Sequence, residues 1–335
     1  MKKILVTGGT GLVGAHLLLY LLEKDQPVTA VYRKKSSLGK TENLFKSYGK
    51  EHLFARIRWV EADITDALAL SDIVKESDVI FHAAAKVSFL ARDKKEMFHT
   101  NVNGTEMLVN LALEHGVSYF LHVSSVAALG GNELVKSEKS VWSWSISHTP
   151  YGASKFLAEM EVWRGFQEGL QGAVINPSVI IGPGFWNSGF GNVVSRMARG
   201  KMPFYVTAKT GFVDVDDVVR IMWKLYEKKV VHQRFVVNAE NRKFDEILFR
   251  LAELLKVNPP RYKLTEGFAN WIRLLTIPLT VWPGKGKLWD KAALNALFED
   301  TEYDNAQIVN LLDYRFIPVE KSLQKLVQHY LRHTS

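Results

Sequence analysis

Lys3-Ile4-Leu5-Val6-Thr7-Gly8-Gly9-Thr10-Gly11-Leu12-Val13-Gly14 decides the fold: an apolar run, a knot of glycines, then an apolar helical pattern reaching Leu22. Residues 3–7 read as a buried strand, because a short apolar run bounded by glycine is its mark. Gly9, Gly11 and Gly14 fit G-x-G-x-x-G, while Gly8, Gly11 and Gly14 fit G-x-x-G-x-x-G. Either register supplies a tight turn, a backbone open to a pyrophosphate, and close helix–strand packing at Gly14. A phosphate there faces the free N–H groups and positive dipole of the helix end. The candidate dinucleotide-binding residues are Gly8, Thr10, Gly11, Leu12, Val13 and Gly14. A purely structural turn is the competing reading, and the strand-turn-helix setting argues against it.

Outward from this loop the pattern repeats. Strands are predicted at Pro27 to Tyr32, Ile57 to Val60, Asp78 to His82, Tyr119 to Ser124 and Ala173 to Asn176. Helical patterns lie at 66–76, 95–115, 151–169 and 214–228. Such alternation argues an α/β fold, a Rossmann-type doubly wound parallel sheet covered on both faces. From about Phe185 the alternation loosens after the loop Gly182-Pro183-Gly184. Helices near 243–256, 265–275, 288–298 and 318–332 then suggest a smaller, mostly helical C-terminal lobe over the carboxyl edge of the sheet, where ligands of open α/β folds bind. The expected division is 1–180 with 205–240 for the dinucleotide-binding domain, and 181–204 with 241–335 for the substrate-binding lobe.

Composition sets bounds on function. The chain has 335 residues, 47% of them hydrophobic and 23% charged, which suits a globular protein with a substantial core. With no cysteine, a disulfide framework, a thiolate nucleophile and a Cys-based metal site are excluded, and a cytoplasmic setting fits. No His/Asp/Glu cluster has metal-ligand spacing, so no metal is expected. Met1-Lys2-Lys3 leads straight into the first strand without a signal-peptide pattern. The net charge of +8 is scattered, which argues a solvated surface with some anion preference rather than nucleic-acid binding. The apolar stretch 268–282, interrupted by Arg273 and Pro278, is too short to span a bilayer. A lobe helix is the expected role, with peripheral membrane contact through Trp271 and Trp282 left open.

The end of the second strand bears on the cofactor. NAD sites place an acid about 20 residues after the glycines, to bind the ribose 2′-hydroxyl. Here Tyr32-Arg33-Lys34-Lys35-Ser36 carries no carboxylate, and Glu23 and Asp25 precede the strand. Arg33 and Lys34 suit a 2′-phosphate, so NADP(H) is favoured over NAD(H). The competing reading is a solvated basic loop.

Tyr151-Gly152-Ala153-Ser154-Lys155 would put a phenol and an ammonium on one helix face. A nearby cation favours the phenolate, which predicts a tyrosine tuned toward general acid/base work. Tyr20 with Lys24 and Tyr205 with Lys209 share the spacing, so address decides. Only Tyr151 follows a strand ending in Ser124-Ser125 and opens a helix at the sheet's carboxyl edge.

With these residues in order, the chain resembles the extended short-chain dehydrogenase/reductase family over nearly its whole length. The family's glycine loop matches Gly8, Gly11 and Gly14, and its adenine-contacting Asp-Leu/Ile pair matches Asp63-Ile64. Its His-x-Ala-Ala segment matches His82-Ala83-Ala84-Ala85, and its Asn-Val-x-Gly-Thr matches Asn101 to Thr105. Its nicotinamide-side Pro-Ser matches Pro177-Ser178, and its Phe-Val-x-Val-x-Asp matches Phe212 to Asp217. The resemblance implies a triad of Ser125, Tyr151 and Lys155. Ser125 would hydrogen-bond the substrate oxygen and Tyr151 would move its proton. Lys155 would depress the tyrosine pKa and bind the nicotinamide ribose. Ser124 competes with Ser125, although the family register prefers Ser125. Asn101 is expected to organise backbone near the cofactor, or to be an ordinary helix-entry residue. Asp214 departs from the family, which often has His there.

Asn176-Pro177 looks like the dihydroflavonol reductase and cinnamoyl-CoA reductase branch, whereas nucleotide-sugar epimerases more often have Arg-Pro. The resemblance therefore implies an NADP(H)-dependent oxidoreductase acting on a small-molecule carbonyl or secondary alcohol. An NAD-dependent epimerase and a non-catalytic NADP(H)-binding protein are the alternatives, and a homodimer is compatible with the family. Trp142, Trp144, Phe185, Trp186 and Phe190 could line an apolar or aromatic pocket, or pack the lobe. His148 could relay protons or be a surface histidine.

Overall fold

The computed structural model describes residues 2–88, 90–267 and 291–334. Along the chain run β1 (Ile4–Thr7), α1 (Leu12–Glu23), β2 (Val28–Tyr32), α2 (Leu38–Ser47), α3 (Glu51–Phe54), β3 (Arg58–Glu61), α4 (Ala67–Lys75) and β4 (Val79–His82). Next come α5 (Lys94–Phe98), α6 (Gly104–Glu114), β5 (Tyr119–Val123), β6 (Val135–Lys136), α7 (Pro150–Gln167), β7 (Gly172–Pro177), β8 (Val179–Ile181) and α8 (Gly189–Ala198). The last third holds β9 (Phe204–Tyr205), β10 (Lys209–Asp214), α9 (Val215–Glu227), β11 (Gln233–Val237), β12 (Glu240–Lys243), α10 (Phe244–Leu255) and β13 (Tyr262–Lys263). It closes with α11 (Lys291–Asn295), β14 (Glu302–Tyr303), α12 (Ala306–Leu312) and α13 (Val319–Thr334). The apolar stretch 268–282 and most of the expected helix 265–275 lie outside the described residues. Among the described residues, no helix is long and apolar enough to cross a membrane.

The large sheet has seven strands in the order β3-β2-β1-β4-β5-β7-β11, every neighbouring pair parallel. The chain reverses direction across the sheet between β1 and β4. The carboxyl ends of those two strands therefore flank the crevice where such folds bind ligands. Side chains alternate through β1: Ile4 and Val6 pack with Leu17, Leu21, Val218 and Ile221 of α1 and α9. Leu5 faces the other way, toward Leu70, Leu108 and Val162 of α4, α6 and α7. Each such fully buried aliphatic side chain contributes about 1.5–3 kcal/mol. Two-sided burial is why these strands read as apolar runs and not as alternating ones.

Two departures from expectation affect the site. The helix expected over 95–115 is broken by a π-helical turn, His99–Asn103, between α5 and α6. Such turns gather at functional sites. The region 205–240 divides: α9 and β11 join the large sheet, while β10 pairs with β8 and β12 in a small three-stranded sheet. The lobe is thus mixed, with short strand pairs β9–β13 and β6–β14 beside its helices.

Asp217 fastens this lobe to α9. Its carboxylate accepts hydrogen bonds from the Tyr314 hydroxyl at 2.9 Å and the Ile317 N–H at 2.9 Å. Burial outweighs both bonds and pushes its pKa up to about 6. A carboxyl raised on folding contributes stability below the unfolded value of about 3.9, and that contribution is lost as pH rises through 6. Asp217→Asn is therefore expected to gain on the parent by roughly 2–3 kcal/mol between pH 4 and pH 8. Urea unfolding midpoints of both proteins at the two pH values check this, and a constant difference would refute it.

Candidate active site

The glycine loop is built by contacts that exclude a side chain. Gly8 has φ +75°, and a Cβ there would lie 2.6 Å from the Ala83 carbonyl carbon and the Ala84 nitrogen. A Cβ on Gly14 would lie 2.2 Å from the Gly8 oxygen. At Gly9 a Cβ would meet side chains, the nearest being Leu18 at 2.8 Å. Backbone contacts thus demand the Gly8-Gly11-Gly14 register at both its ends. Gly11 differs: a Cβ there would meet only the Gly8 oxygen, at an ordinary 3.4 Å. Packing does not require this glycine, and its bare face leaves room for a ligand. Gly11 caps α1 with no side chain on the first N–H groups. Thr10, Gly11, Leu12 and Val13 are partly exposed along the rim. This cradle fits the diphosphate of a dinucleotide.

The neighbouring residues are held by named bonds. The buried Thr41 hydroxyl donates to the Gly9 carbonyl at 2.9 Å, anchoring α2 and the exposed Arg33-Lys34 segment before it. Arg33 lies 3.9 Å from the Asp63 carboxylate, which also accepts the Thr65 N–H at 3.0 Å. Ile64 is buried against Gly104 at the start of α6. His82 is fully buried and neutral, burial pulling its pKa down to about 3. The Thr105 hydroxyl donates to the Asn101 carbonyl at 2.6 Å, so His82 Nε2–H donates to Thr105 at 2.9 Å and Nδ1 accepts from Thr7 at 2.7 Å. Thr7 Oγ1 in turn accepts the Ala84 N–H at 3.3 Å, holding Ala83, Ala84 and Ala85 beside Gly8. Ser178 is buried, its N–H donating to Val237 at 3.1 Å just after Pro177 closes β7.

Thr149 and Pro150 start α7: the Thr149 hydroxyl accepts the Gly152 N–H at 2.9 Å and Pro150 sits in the first turn. A Cβ on Gly152 would lie 2.6 Å from the Ala127 oxygen. That missing side chain lets the 126–128 turn press against α7 and brings Ser125 into hydrogen bond with Tyr151. Ser124 faces away, donating to buried Glu159 at 2.8 Å. Lys155 is 2% exposed and donates to the Val123 carbonyl at 2.8 Å. The other two Tyr/Lys pairs are engaged elsewhere: Lys24 stacks over the Tyr20 ring at 5.3 Å, and Lys209 pairs with Glu302 at 2.5 Å.

The expectation that Lys155 draws the tyrosine pKa down does not describe this site. Burial raises the Tyr151 pKa, with the Ser125 hydrogen bond opposing it. Lys155 itself is pulled down to about 8 by burial, with Glu159 pushing the other way. Desolvation is the largest influence on both groups. A phenol kept protonated is a proton donor, which suits reduction.

Two organising residues stand nearby. Asn101, within the π-helical turn, accepts the Lys86 N–H at 2.7 Å, and its amide donates to the Lys86 carbonyl at 3.0 Å and to Ser154 at 2.9 Å. It ties the loop after β4 to the first turn of α7. Glu159 was not singled out from the sequence, although it stands four residues after Lys155, a spacing that faces the same way. Asp214 caps α9, accepting the Asp216 N–H at 2.8 Å, and lies 3.5 Å from Lys325 of α13. Its place is structural.

A cavity of about 720 Å³ opens beside Val126, Ala127 and Thr149. Its walls mix aliphatic side chains, Leu129, Ile146, Val179 and Leu297 among them, with charged ones such as Glu133, Lys136, Lys209 and Glu299. The aromatic loops do not line it. Trp186 and Phe190 pack in the lobe core, and Phe185 packs with Ala15 and Leu44. Trp142 is sandwiched between His148 and Phe156, ring centroids 3.6 and 4.3 Å away, and Trp144 is 63% exposed. His148, bonded through Nε2 to the Ser143 carbonyl at 2.7 Å, sits on the cavity wall.

Comparison with known proteins agrees with this architecture. The model of the NAD dependent epimerase/dehydratase family matches residues 4–238. Sterol demethylase protein B of Methylococcus capsulatus is 31% identical over 282 residues, covering 82% of this chain and 81% of that protein. Dihydroflavonol 4-reductase of Arabidopsis thaliana is 24% identical over 282 residues, covering 80% of this chain and 72% of that protein. A UDP-glucose 4-epimerase from Thermotoga maritima, solved with UDP-glucose, superposes with a TM-score of 0.78 at 22% identity, covering 99% of this chain and 100% of that one. The chain belongs to the NAD-dependent epimerase/dehydratase family of extended short-chain dehydrogenases/reductases, with dihydroflavonol-reductase-like proteins among its relatives.

Proposed function

We propose that this protein is an NADP(H)-dependent oxidoreductase acting on a carbonyl or secondary alcohol of a bulky, largely aliphatic small molecule. The observation that carries the reading is the Ser125–Tyr151 hydrogen bond beside a cavity of about 720 Å³ that has aliphatic side chains on its wall. When bound, NADP(H) supplies or accepts the hydride at its nicotinamide. Tyr151 gives the substrate oxygen its proton in reduction and takes it back in oxidation. Ser125 hydrogen-bonds that oxygen where charge develops. The Lys155 ammonium, held on the Val123 carbonyl, would bind the nicotinamide ribose hydroxyls. Gly8, Gly11 and Gly14 hold the diphosphate, with Asp63 and Ala83 to Ala85 along the adenosine side and Pro177-Ser178 near the nicotinamide.

A sterol-like, alicyclic substrate is the class we favour, since the cavity has room for a rigid apolar skeleton and one named relative is a sterol demethylase protein. The nucleotide-sugar epimerase reading fits less well. Among the described residues the cavity's lysines are Lys136 and Lys209, Lys209 is paired with Glu302, and Glu133, Glu299 and Asp300 stand beside them. A diphosphate would meet an acidic wall there. An NADPH-oxidation screen over alicyclic, aromatic and linear ketones, with Tyr151→Phe as blank, tests the reading. Stoichiometric NAD released from the denatured protein would overturn it in favour of the epimerase.

Cofactor choice is tested at the end of β2. Arg33→Ala is expected to weaken NADPH binding roughly tenfold or more, the worth of a charged hydrogen-bonded contact, while NADH binding stays within about twofold. Fluorescence titration with both nucleotides measures it, and equal losses would remove the 2′-phosphate assignment.

A further inference from the structure

We propose that Glu159, wholly buried one turn beyond Lys155, is a positioning residue for Lys155 and Ser125, and that Arg234 couples it to the substrate loop at 138–140. The inference rests on the triad reading above. Four donors converge on the Glu159 carboxylate: Ser124 at 2.8 Å, Asn176 at 2.9 Å, Trp163 at 3.2 Å and Arg234 at 3.3 Å. The Asn176 amide also donates to the Ser125 carbonyl at 3.0 Å. One side chain of β7 thus links the carboxylate to the backbone of the residue that bonds Tyr151. Arg234 of β11 reaches further, donating from Nε to the Glu138 carbonyl at 2.9 Å and from Nη2 to the Ser140 carbonyl at 2.8 Å. The Glu138 carboxylate answers by accepting the Val236 N–H at 2.8 Å.

A buried carboxylate with this many partners is not needed to fill space, since an apolar side chain would serve packing as well. Its charge acts on two cations: Arg234, paired with it at 3.3 Å, and Lys155 one turn back on α7. The titratable groups that act on Lys155 are Glu159 on α7, with His82 of β4 and His122 of β5 held neutral by burial. Glu159 is therefore the anion that offsets the burial of the Lys155 ammonium, and Arg234 is the cation on the carboxylate's far side. A shift of segment 138–140, which belongs to the loop between Ser125 and Tyr151, would reach Lys155 through this pair.

The test follows the Lys155 side chain directly. In cofactor-free protein carrying labelled lysine, with the signal assigned by Lys155→Met, Glu159→Gln is expected to lower the Lys155 titration midpoint by about one pH unit. The alkaline limb of the kcat profile is expected to move by the same amount. Arg234→Lys keeps the charge and loses the two-carbonyl grip. It is expected to leave the Lys155 midpoint in place while the Ser140 amide, bonded to Ser137, exchanges about tenfold faster with deuterium. An unmoved midpoint in Glu159→Gln would overturn the positioning role, and unchanged Ser140 exchange in Arg234→Lys would overturn the coupling. A midpoint that moves without the kcat limb would uphold the effect of Glu159 on Lys155 and refute the triad role of Lys155.

Discussion

Replacing Tyr151 by Phe is expected to lower kcat by roughly a hundred- to ten-thousand-fold, the range supplied by a positioned general acid, while NADPH affinity stays within about twofold. The ring keeps its place because α7 starts from Thr149 and Pro150, and Lys155 is held by the Val123 carbonyl independently of the phenol. Only the hydroxyl and its bond to Ser125 disappear. Binding and chemistry therefore separate in this variant: steady-state kinetics reads the loss, and nucleotide titration shows the cofactor site intact. Turnover near the parent level would mean that the proton comes from elsewhere, and His148 on the cavity wall would be the next residue to examine.

Gly14→Ala is expected to damage both the fold and the cofactor site. The new methyl would stand 2.2 Å from the Gly8 oxygen and 2.6 Å from its carbonyl carbon, so no side chain can rotate to make room. Either the loop after β1 or the start of α1 must move, at about 1–3 kcal/mol for overpacking. Because the displaced atoms are those that cradle a diphosphate, NADPH binding is expected to fall beyond measurement at micromolar nucleotide. Gly11→Ala is the contrast. Its methyl makes an ordinary 3.4 Å contact, so melting should shift little while NADPH affinity drops roughly tenfold or more. Thermal unfolding with and without NADPH distinguishes the two. Equal stability losses in both variants would show that Gly11 too is bare for packing rather than for a ligand.

Much of the site was legible in the chain because its signals are local. A strand ending in glycines and a Tyr/Lys pair four apart each depend on neighbours within a turn or two. Ser125 was chosen over Ser124 by position alone, and the structure supplies a physical reason: Ser124 turns to the Glu159 carboxylate. The tryptophans stay open between the two roles for the opposite reason. A loop aromatic reads the same whether it lines a cavity or packs a lobe, and Trp142 is held by Phe156, a residue of α7. Likewise β11 carries Phe235-Val236-Val237 after charged Arg234, too short an apolar run to announce the edge of the large sheet.

By itself, then, the sequence determined the alternation of strands and helices, a glycine loop compatible with a dinucleotide in either of two registers, and the order of Ser125, Tyr151 and Lys155 along the chain. These follow from steric and periodic constraints acting over a few residues. Tertiary structure alone decided the glycine register, which serine meets Tyr151, how Ser124, Asn176 and Arg234 gather on Glu159, and that burial raises the tyrosine's pKa. Such properties belong to groups far apart in the chain, and desolvation has no value until packing has removed the water.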